Sequence, residues 1–416
     1  MKQNKQAIFN NYLKNLFQQI SSYIFPIVYV FYLPNVLSVN NFSVMAIFIS
    51  YLTICGILID FGFDLLGPKL LLERNLNKEK INDLVSTIIL FKLFFSSLLS
   101  IALYAYFTSI YHQNHFTIVL MSVSVIPRSL NFYWWFMGNM EISKYALYTI
   151  SVWVIFFISI YFCMDFFDDK LVVVSAGYLI SNSLIMGYGF VSIAKYYKVS
   201  EIKSIIINYN IIKKAVPYFS SRIASVVYMS LGVPILARLN LNFDVAVYSV
   251  GEQLFRFAQS TVSPFVLAFY FFHEATSGTK EIMKYLTILI GCVILGYLIL
   301  LLGDTVLREF VSFNEIYAEV MNYLPFYVLA LITHFLASFF GFPLSNLYKN
   351  SDFANMSILY SAGFYCVLIV SLIALDWICI TSLLASMIVT EFTLFLIRYW
   401  YFRKFIIKIQ NEEIHR

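Results

Sequence analysis

Long apolar runs set the limits on what this chain can fold into. Twelve of them follow one another with short polar connectors: Leu16–Val36, Phe42–Gly67, Leu84–Phe107, Phe116–Phe136, Tyr145–Met164, Leu171–Ala194, Val216–Ala237, Val245–Phe272, Met283–Leu302, Tyr323–Leu344, Met356–Leu375 and Ile378–Ile397. A hydrocarbon core about 30 Å thick takes about 20 helical residues, so each run is a candidate membrane span. A transmembrane barrel would show short alternating segments instead. Composition agrees, because 60% of the 416 residues are hydrophobic and only 12% are charged, about half the charge of a soluble chain. That excludes a soluble globular domain, a disordered tail and a disulfide-knit secreted module. The first run exceeds a signal-peptide core and no A-x-A-like site closes it, so it is expected to be retained. The predicted fold class is all-α integral membrane, with twelve transmembrane helices in two sets of six.

The basic residues test that count. With an even number of spans, both termini fall on one side. Of the 28 Lys and Arg residues, 21 fall on the terminal side, counting Lys284 at the very edge of span 9, three (Lys170, Arg238, Arg308) on the other, and four deeper inside spans. So lopsided a split places both termini in the cytoplasm. The opposite loops are acidic, with Asp165, Asp168, Asp169, Asp304, Glu309, Glu315, Glu319 and Asp376. The longest basic connector separates spans 6 and 7. The expected organisation is therefore a six-helix lobe over 1–200, a cytoplasmic linker over 201–215, a second lobe over 216–397 and a basic cytoplasmic tail over 398–416. Asn41-Phe42-Ser43-Val44 at span 2 and Asn242-Phe243-Asp244-Val245 at span 8 hint at a parallel repeat of the halves.

A charge at mid-bilayer costs about 2.5–3.5 kcal/mol on insertion scales, so charges inside spans mark wet paths or internal pairs. Apart from Lys284 at the edge of span 9, eight lie there: Asp60, Asp64, Lys92, Arg128, Arg222, Glu252, Arg256 and Glu391. Arg256 stands 11 residues from one end of span 8 and 16 from the other, beyond snorkelling reach of either surface. Ser249, Glu252, Arg256, Gln259 and Ser263 share one helical face. Two readings follow: a polar stripe lining a solvated path, or an ion pair stapling two helices. Ser43, Ser50, Thr53, Asp60 and Asp64 form a similar stripe on span 2, with Asp60 deep enough to carry a proton and Asp64 near the inner end. Ser124, Arg128 and Asn131 share a face of span 4 beside Pro127. Arg222 sits six residues into span 7, within reach of either interior or surface. Lys92 and Glu391 are expected near the inner face. His334 shares a face with Ser338, Gly341 and Ser345 and is either a hydrogen-bonded core residue or a proton relay.

Several chemistries are missing. There is no G-x-x-x-x-G-K-[ST] loop, no D-x-D pair and no large outer domain, which argues against an ATPase or a membrane glycosyltransferase. His112 and His115 have no further ligand nearby, and the five cysteines form no C-x-x-C pair. No metal, cofactor or nucleic-acid partner is expected.

Three places carry a family likeness. One is Asn41-Phe42-Ser43-Val44, followed by Leu58-Ile59-Asp60-Phe61-Gly62-Phe63 and the charged loop from Leu72-Glu73-Arg74 to Lys80. Another is Trp134-Trp135-Phe136-Met137-Gly138 with Glu141 and Lys144-Tyr145. The third is Val245-Ala246-Val247-Tyr248-Ser249. Together with span number and loop lengths, they resemble the Wzx-type polysaccharide flippases of the multidrug/oligosaccharidyl-lipid/polysaccharide exporter superfamily. Met137 stands where that family has Gln, and Gln253 where Lys is common. The resemblance implies two six-helix lobes around a central cavity lined by spans 1, 2, 7 and 8. It implies transfer of an undecaprenyl-pyrophosphate-linked oligosaccharide between leaflets of the bacterial inner membrane by alternating access. Membrane lipids, a polysaccharide polymerase and a chain-length regulator would be partners. The expected substrate-binding residues are Arg256, Glu252, Arg222, Arg128, Gln259 and Ser249. Asp60, Asp64, His334 and Glu391 are the candidates for ion or proton coupling. The competing readings are a cation-coupled drug exporter of the same superfamily and a membrane-embedded polysaccharide polymerase.

Overall fold

The computed structural model describes residues 21, 23–72, 78–111, 115–196, 207–239, 241–272, 314–341 and 351–414, with short stretches within 287–301. Every regular element among them is a helix. In chain order these are α1 (Ile24–Phe31), α2 (Leu33–Val36), α3 (Val39–Asp60), α4 (Phe63–Leu71), α5 (Lys78–Ile110), α6 (His115–Val123), α7 (Val125–Ser129), α8 (Tyr133–Gly138), α9 (Ile142–Cys163), α10 (Lys170–Tyr196), α11 (Tyr209–Ser230), α12 (Gly232–Arg238), α13 (Asn242–Phe272), α14 (Glu315–Phe339), α15 (Ser351–Ala374) and α16 (Ile380–Ile414).

Among the described residues, eight helical segments are long and apolar enough to cross a membrane, and they coincide with expected spans 2–6 and 10–12. Helices α1 and α2 cover span 1, α11 and α12 span 7, and α13 span 8. Most of span 9 lies outside the described residues. The outward faces carry Phe94, Ile101, Ile155, Val367 and Val370, all exposed. Such a surface suits lipid and would aggregate in water.

Local chemistry sets the helix ends. The Ser38 hydroxyl accepts from the Asn41 amide at 3.3 Å and starts α3. Asp169 accepts from the Leu171 amide at 3.1 Å ahead of α10. Asn314 accepts from the Ile316 amide at 3.2 Å and starts α14. Such caps satisfy amides that have no partner within the helix. Span 2 is not one rod. Phe61 and Gly62 both adopt left-handed backbone, with φ of 49° and 84°, and form an elbow between α3 and α4. Span 4 is likewise divided into α6, α7 and α8, so the single face predicted for Ser124, Arg128 and Asn131 does not run along one helix.

The chain separates into two compact units, Met1–Ile223 and Ala224–Arg416, and the division falls inside α11. In the first unit, α10 packs on α9 and α6, and α4 packs on α8. Its core gathers Phe25, Trp153, Phe156 and Tyr178, with Phe25 4.9 Å from Trp153 and 5.0 Å from Tyr178 between ring centres. In the second unit, α14 packs against α13 and α16, and α15 against α16. Phe340 there meets Phe395, Tyr399 and Phe402 at 5.4–5.5 Å.

Two glycines on α10 make an internal comparison. A Cβ at Gly189 would lie 1.9 Å from Phe132 Cδ2, whereas one at Gly187 would meet nothing within 4 Å. Gly189→Ala must displace the buried Phe132 ring, at a cost of about 1–3 kcal/mol. Gly187→Ala gains helix propensity, about 0.5–1 kcal/mol. Thermal unfolding of the purified protein in detergent should fall for the first and hold or rise for the second. Equal melting of the two variants would contradict the packing.

Candidate functional site

The elbow of span 2 brings together four charges of the first unit. Lys92, on α5, is 1% exposed. Its ammonium lies 2.9 Å from Asp60 Oδ1 and 3.1 Å from Asp64 Oδ1. Arg222, on α11, donates through Nη1 to Asp60 Oδ2, and the same nitrogen stands 4.0 Å from Asp64 Oδ2. Asp60 Oδ1 also accepts from the Asp64 amide at 3.1 Å, so its carboxylate caps α4 across the elbow. Lys92, expected near the inner face, is buried between two carboxylates. Asp64, expected near the inner end, has a side chain 15% exposed and is paired. The elbow divides the stripe drawn from Ser43 to Asp64, yet it draws Asp60 and Asp64 onto a shared cation.

Aromatic packing holds α11 at this place. Phe219 stacks on Phe61 with ring centres 4.4 Å apart, and Lys69 donates to the Tyr218 hydroxyl at 3.2 Å. Elsewhere in the unit Arg128 donates to the hydroxyl of buried Tyr178, and Asn182 donates to the Tyr178 carbonyl at 2.8 Å. Arg128 thus ends on a phenol within the protein.

The second unit holds the span 8 pair. Arg256 Nε donates to Glu252 Oε1 at 2.9 Å, and Nη2 reaches the same oxygen at 2.5 Å. Nη2 also donates to the Met229 carbonyl at 3.1 Å and the Ser230 hydroxyl at 2.7 Å. The i,i+4 pair predicted from sequence is present, and it ties α13 to the end of α11. The Arg256 side chain is 26% exposed and that of Glu252 10%. Gln259 Nε2 lies 3.9 Å from Met229 Sδ. Ser249 donates to the Ala246 carbonyl at 2.9 Å, which spends its proton within its own helix.

A third group joins α14, α15 and α16. His334 Nδ1 stands 2.8 Å from Glu391 Oε1, and the Ser338 hydroxyl is 3.2 Å from His334 Nε2. Glu391, expected near the inner face, is fully buried at 0% exposure. Its Oε2 and the hydroxyl of buried Tyr365 have no hydrogen-bond partner among the described residues. Arg398, assigned from sequence to the cytoplasmic tail, is 4% exposed. It donates to the Ala337 carbonyl at 2.6 Å and the Ser357 hydroxyl at 3.0 Å. Sequence reasoning singled out His334 and Glu391 separately and missed Arg398, because α16 continues past the expected end of span 12. It also missed Tyr178, whose phenol gives no signal in an apolar run.

No group of three His, Cys, Asp or Glu that could hold a metal ion occurs among the described residues. Chemically, the three clusters present cations fixed on carboxylates and carbonyls, with two guanidiniums, Arg222 and Arg256, left partly accessible.

Among solved structures, an inward-facing multidrug resistance MATE family transporter of the MOP superfamily aligns with 12% identity, 96% of each chain covered and a TM-score of 0.59. The eukaryotic MATE transporter AtDTX14 aligns with 13% identity, 94% of each chain and a TM-score of 0.56. The Vibrio cholerae MATE transporter VcmN D35N mutant aligns with 13% identity, 97% of each chain and a TM-score of 0.54. At these identities the likeness gives the fold alone, the helical fold of those MATE proteins. No curated protein sequence matches. The family model described as "Polysaccharide biosynthesis protein" matches residues 8–274, which is more than half of the chain. This chain therefore belongs to the polysaccharide biosynthesis protein family.

Proposed function

We propose that this protein flips an undecaprenyl-pyrophosphate-linked oligosaccharide repeat unit, of O-antigen or a related surface polysaccharide, from the cytoplasmic to the periplasmic leaflet. The observation that carries this reading is the setting of Arg256. Its guanidinium lies at mid-span, anchored by Glu252, Met229 and Ser230, and remains 26% exposed. A fixed, partly hydrated cation at that depth suits a diphosphate headgroup, which accepts forked hydrogen bonds while its lipid tail stays in the bilayer. Arg222 is a second cation of this kind, at 33% exposure. A carrier of cationic drugs would place accessible carboxylates there, and Glu252 and Asp60 are instead covered by their arginines. Movement would follow by alternating access, with Asp60, Asp64, His334 and Glu391 as coupling residues. The site would sit in the bacterial inner membrane, with both termini cytoplasmic. A polymerase and a chain-length regulator would take the product on the outer side.

Deleting the gene tests the assignment. Surface polysaccharide should vanish and the lipid-linked unit should accumulate, with drug susceptibility unchanged. Normal polysaccharide with a rise in drug sensitivity would favour the exporter.

Topology has its own test. Cys379 is an exposed free thiol between α15 and α16, assigned to the outer side. Burial pushes this thiol up, but hydrogen bonding with Thr381 and Ser382 outweighs that and leaves it below the ordinary thiol value. More thiolate is present at a given pH, and thiolate is the reactive form. A membrane-impermeant maleimide should label Cys379 in intact spheroplasts. Labelling only after lysis would invert the topology.

A further inference from the structure

Lys92 is buried more deeply than any other basic residue described, at 1% exposure, and it touches both carboxylates of the elbow. Asp60 and Asp64 together face two cations, Lys92 and Arg222. The two cations differ in access. The Lys92 side chain is 2% exposed and that of Arg222 33%. The carboxylates are nearly covered, at 8% and 15%. Only Arg222 can meet an anion arriving from outside the cluster. Two neutral phenols, Tyr133 and Tyr145, also face Asp64 and leave the charge sum unchanged.

We propose that Lys92 is a positioning residue: it neutralises one of the two elbow carboxylates, so that Arg222 can be lent to an anionic load, and the charge sum of Asp60, Asp64, Lys92 and Arg222 sets the affinity for a diphosphate. This rests on the flippase reading above. Without Lys92, two carboxylates hold one guanidinium, and any incoming anion must displace both. With Lys92, each carboxylate keeps a cation when Arg222 turns away. The bridging geometry fits this role, because one ammonium within 3.1 Å of an oxygen on each side chain serves both at once. An ammonium donates three hydrogen bonds from a compact point charge, which suits a bridge between two carboxylates.

The test is a titration of purified full-length protein in detergent with undecaprenyl diphosphate. Undecaprenol serves as the lipid control and inorganic pyrophosphate as competitor. The native cluster sums to zero. Asp64→Asn raises the sum by one and should tighten binding by about tenfold, while Lys92→Met lowers it by one and should weaken binding by about tenfold. The double variant K92M/D64N restores zero and should return to within about threefold of wild type. K92R should bind as wild type does. A purely structural lysine would not make D64N bind more tightly, nor would a second neutralisation repair the first. If K92M does not accumulate, D64N decides alone: tighter binding supports the proposal, and unchanged or weaker binding overturns it. Wild-type protein that binds undecaprenyl diphosphate while the variants ignore the charge order overturns this inference and leaves the flippase reading standing. Wild-type protein that binds undecaprenyl diphosphate no better than undecaprenol overturns both.

Discussion

Arg256→Ala is expected to abolish surface polysaccharide while the protein remains in the membrane. The substitution removes the deep guanidinium and leaves Glu252, 7% exposed, without the donor that covers it. Breaking one side of a buried pair costs about 3–5 kcal/mol, so a fall in melting temperature is expected as well. The function and the fold are separated by a second variant. In R256M/E252Q the uncompensated charge is gone and the helix faces keep their volume. That protein should melt close to wild type and still fail to export polysaccharide. Arg256→Lys keeps the charge but cannot reproduce the contacts of Nη2 with Glu252, the Met229 carbonyl and the Ser230 hydroxyl. It should support partial export. Full export by the double variant, at matched protein level, would reduce the pair to a helix staple.

The second large effect is expected at Gly62. Its φ of 84° is strained for any residue with a side chain. Its Cβ position also lies 2.8 Å from Tyr218 Cβ, 2.9 Å from the Phe219 amide nitrogen and 3.0 Å from the Ala215 carbonyl oxygen. Two of those atoms are backbone and cannot swing aside. Even alanine must therefore push α11 off the elbow. Strain and displacement together should cost about 3 kcal/mol. They should also weaken the Phe61–Phe219 stack and the Arg222–Asp60 contact. Gly62→Ala should lower the melting temperature and export together. A G62A protein as stable as wild type would show that α11 does not press on the elbow.

Much of the architecture is legible in the sequence because the bilayer imposes a length. Runs of about 20 apolar residues can do little but cross it as helices. The span 8 pair is legible for a related reason, since i,i+4 spacing places Glu252 and Arg256 on one face wherever that helix sits. What escapes the sequence depends on departures from the straight rod. The elbow at Phe61 and Gly62 turns two stripe positions into one pair of carboxylates around Lys92, and no periodicity announces that. Distance along the chain hides the rest. Arg222 lies 162 residues from Asp60, and Glu391 lies 57 from His334. The charges are visible as anomalies within apolar runs, while their partners are set by packing. Arg398 failed for a plainer reason: an arginine at the end of a hydrophobic run looks solvated until its helix is seen to continue.

The serine and threonine stripes hold a further consequence. Ser43 donates to the Val39 carbonyl, Thr53 to Ile49, Ser249 to Ala246 and Thr390 to Ser386. Each hydroxyl has a single proton, and in these residues it is turned back on the helix that carries it. A sugar ring meeting such helices finds lone pairs but few directional donors against which to check the orientation of its own hydroxyls. On the proposed flippase reading, a carrier built this way would register a passenger's charge and girth and leave the epimer of each ring unread, and fidelity for the saccharide would fall to the enzymes that assemble it beforehand.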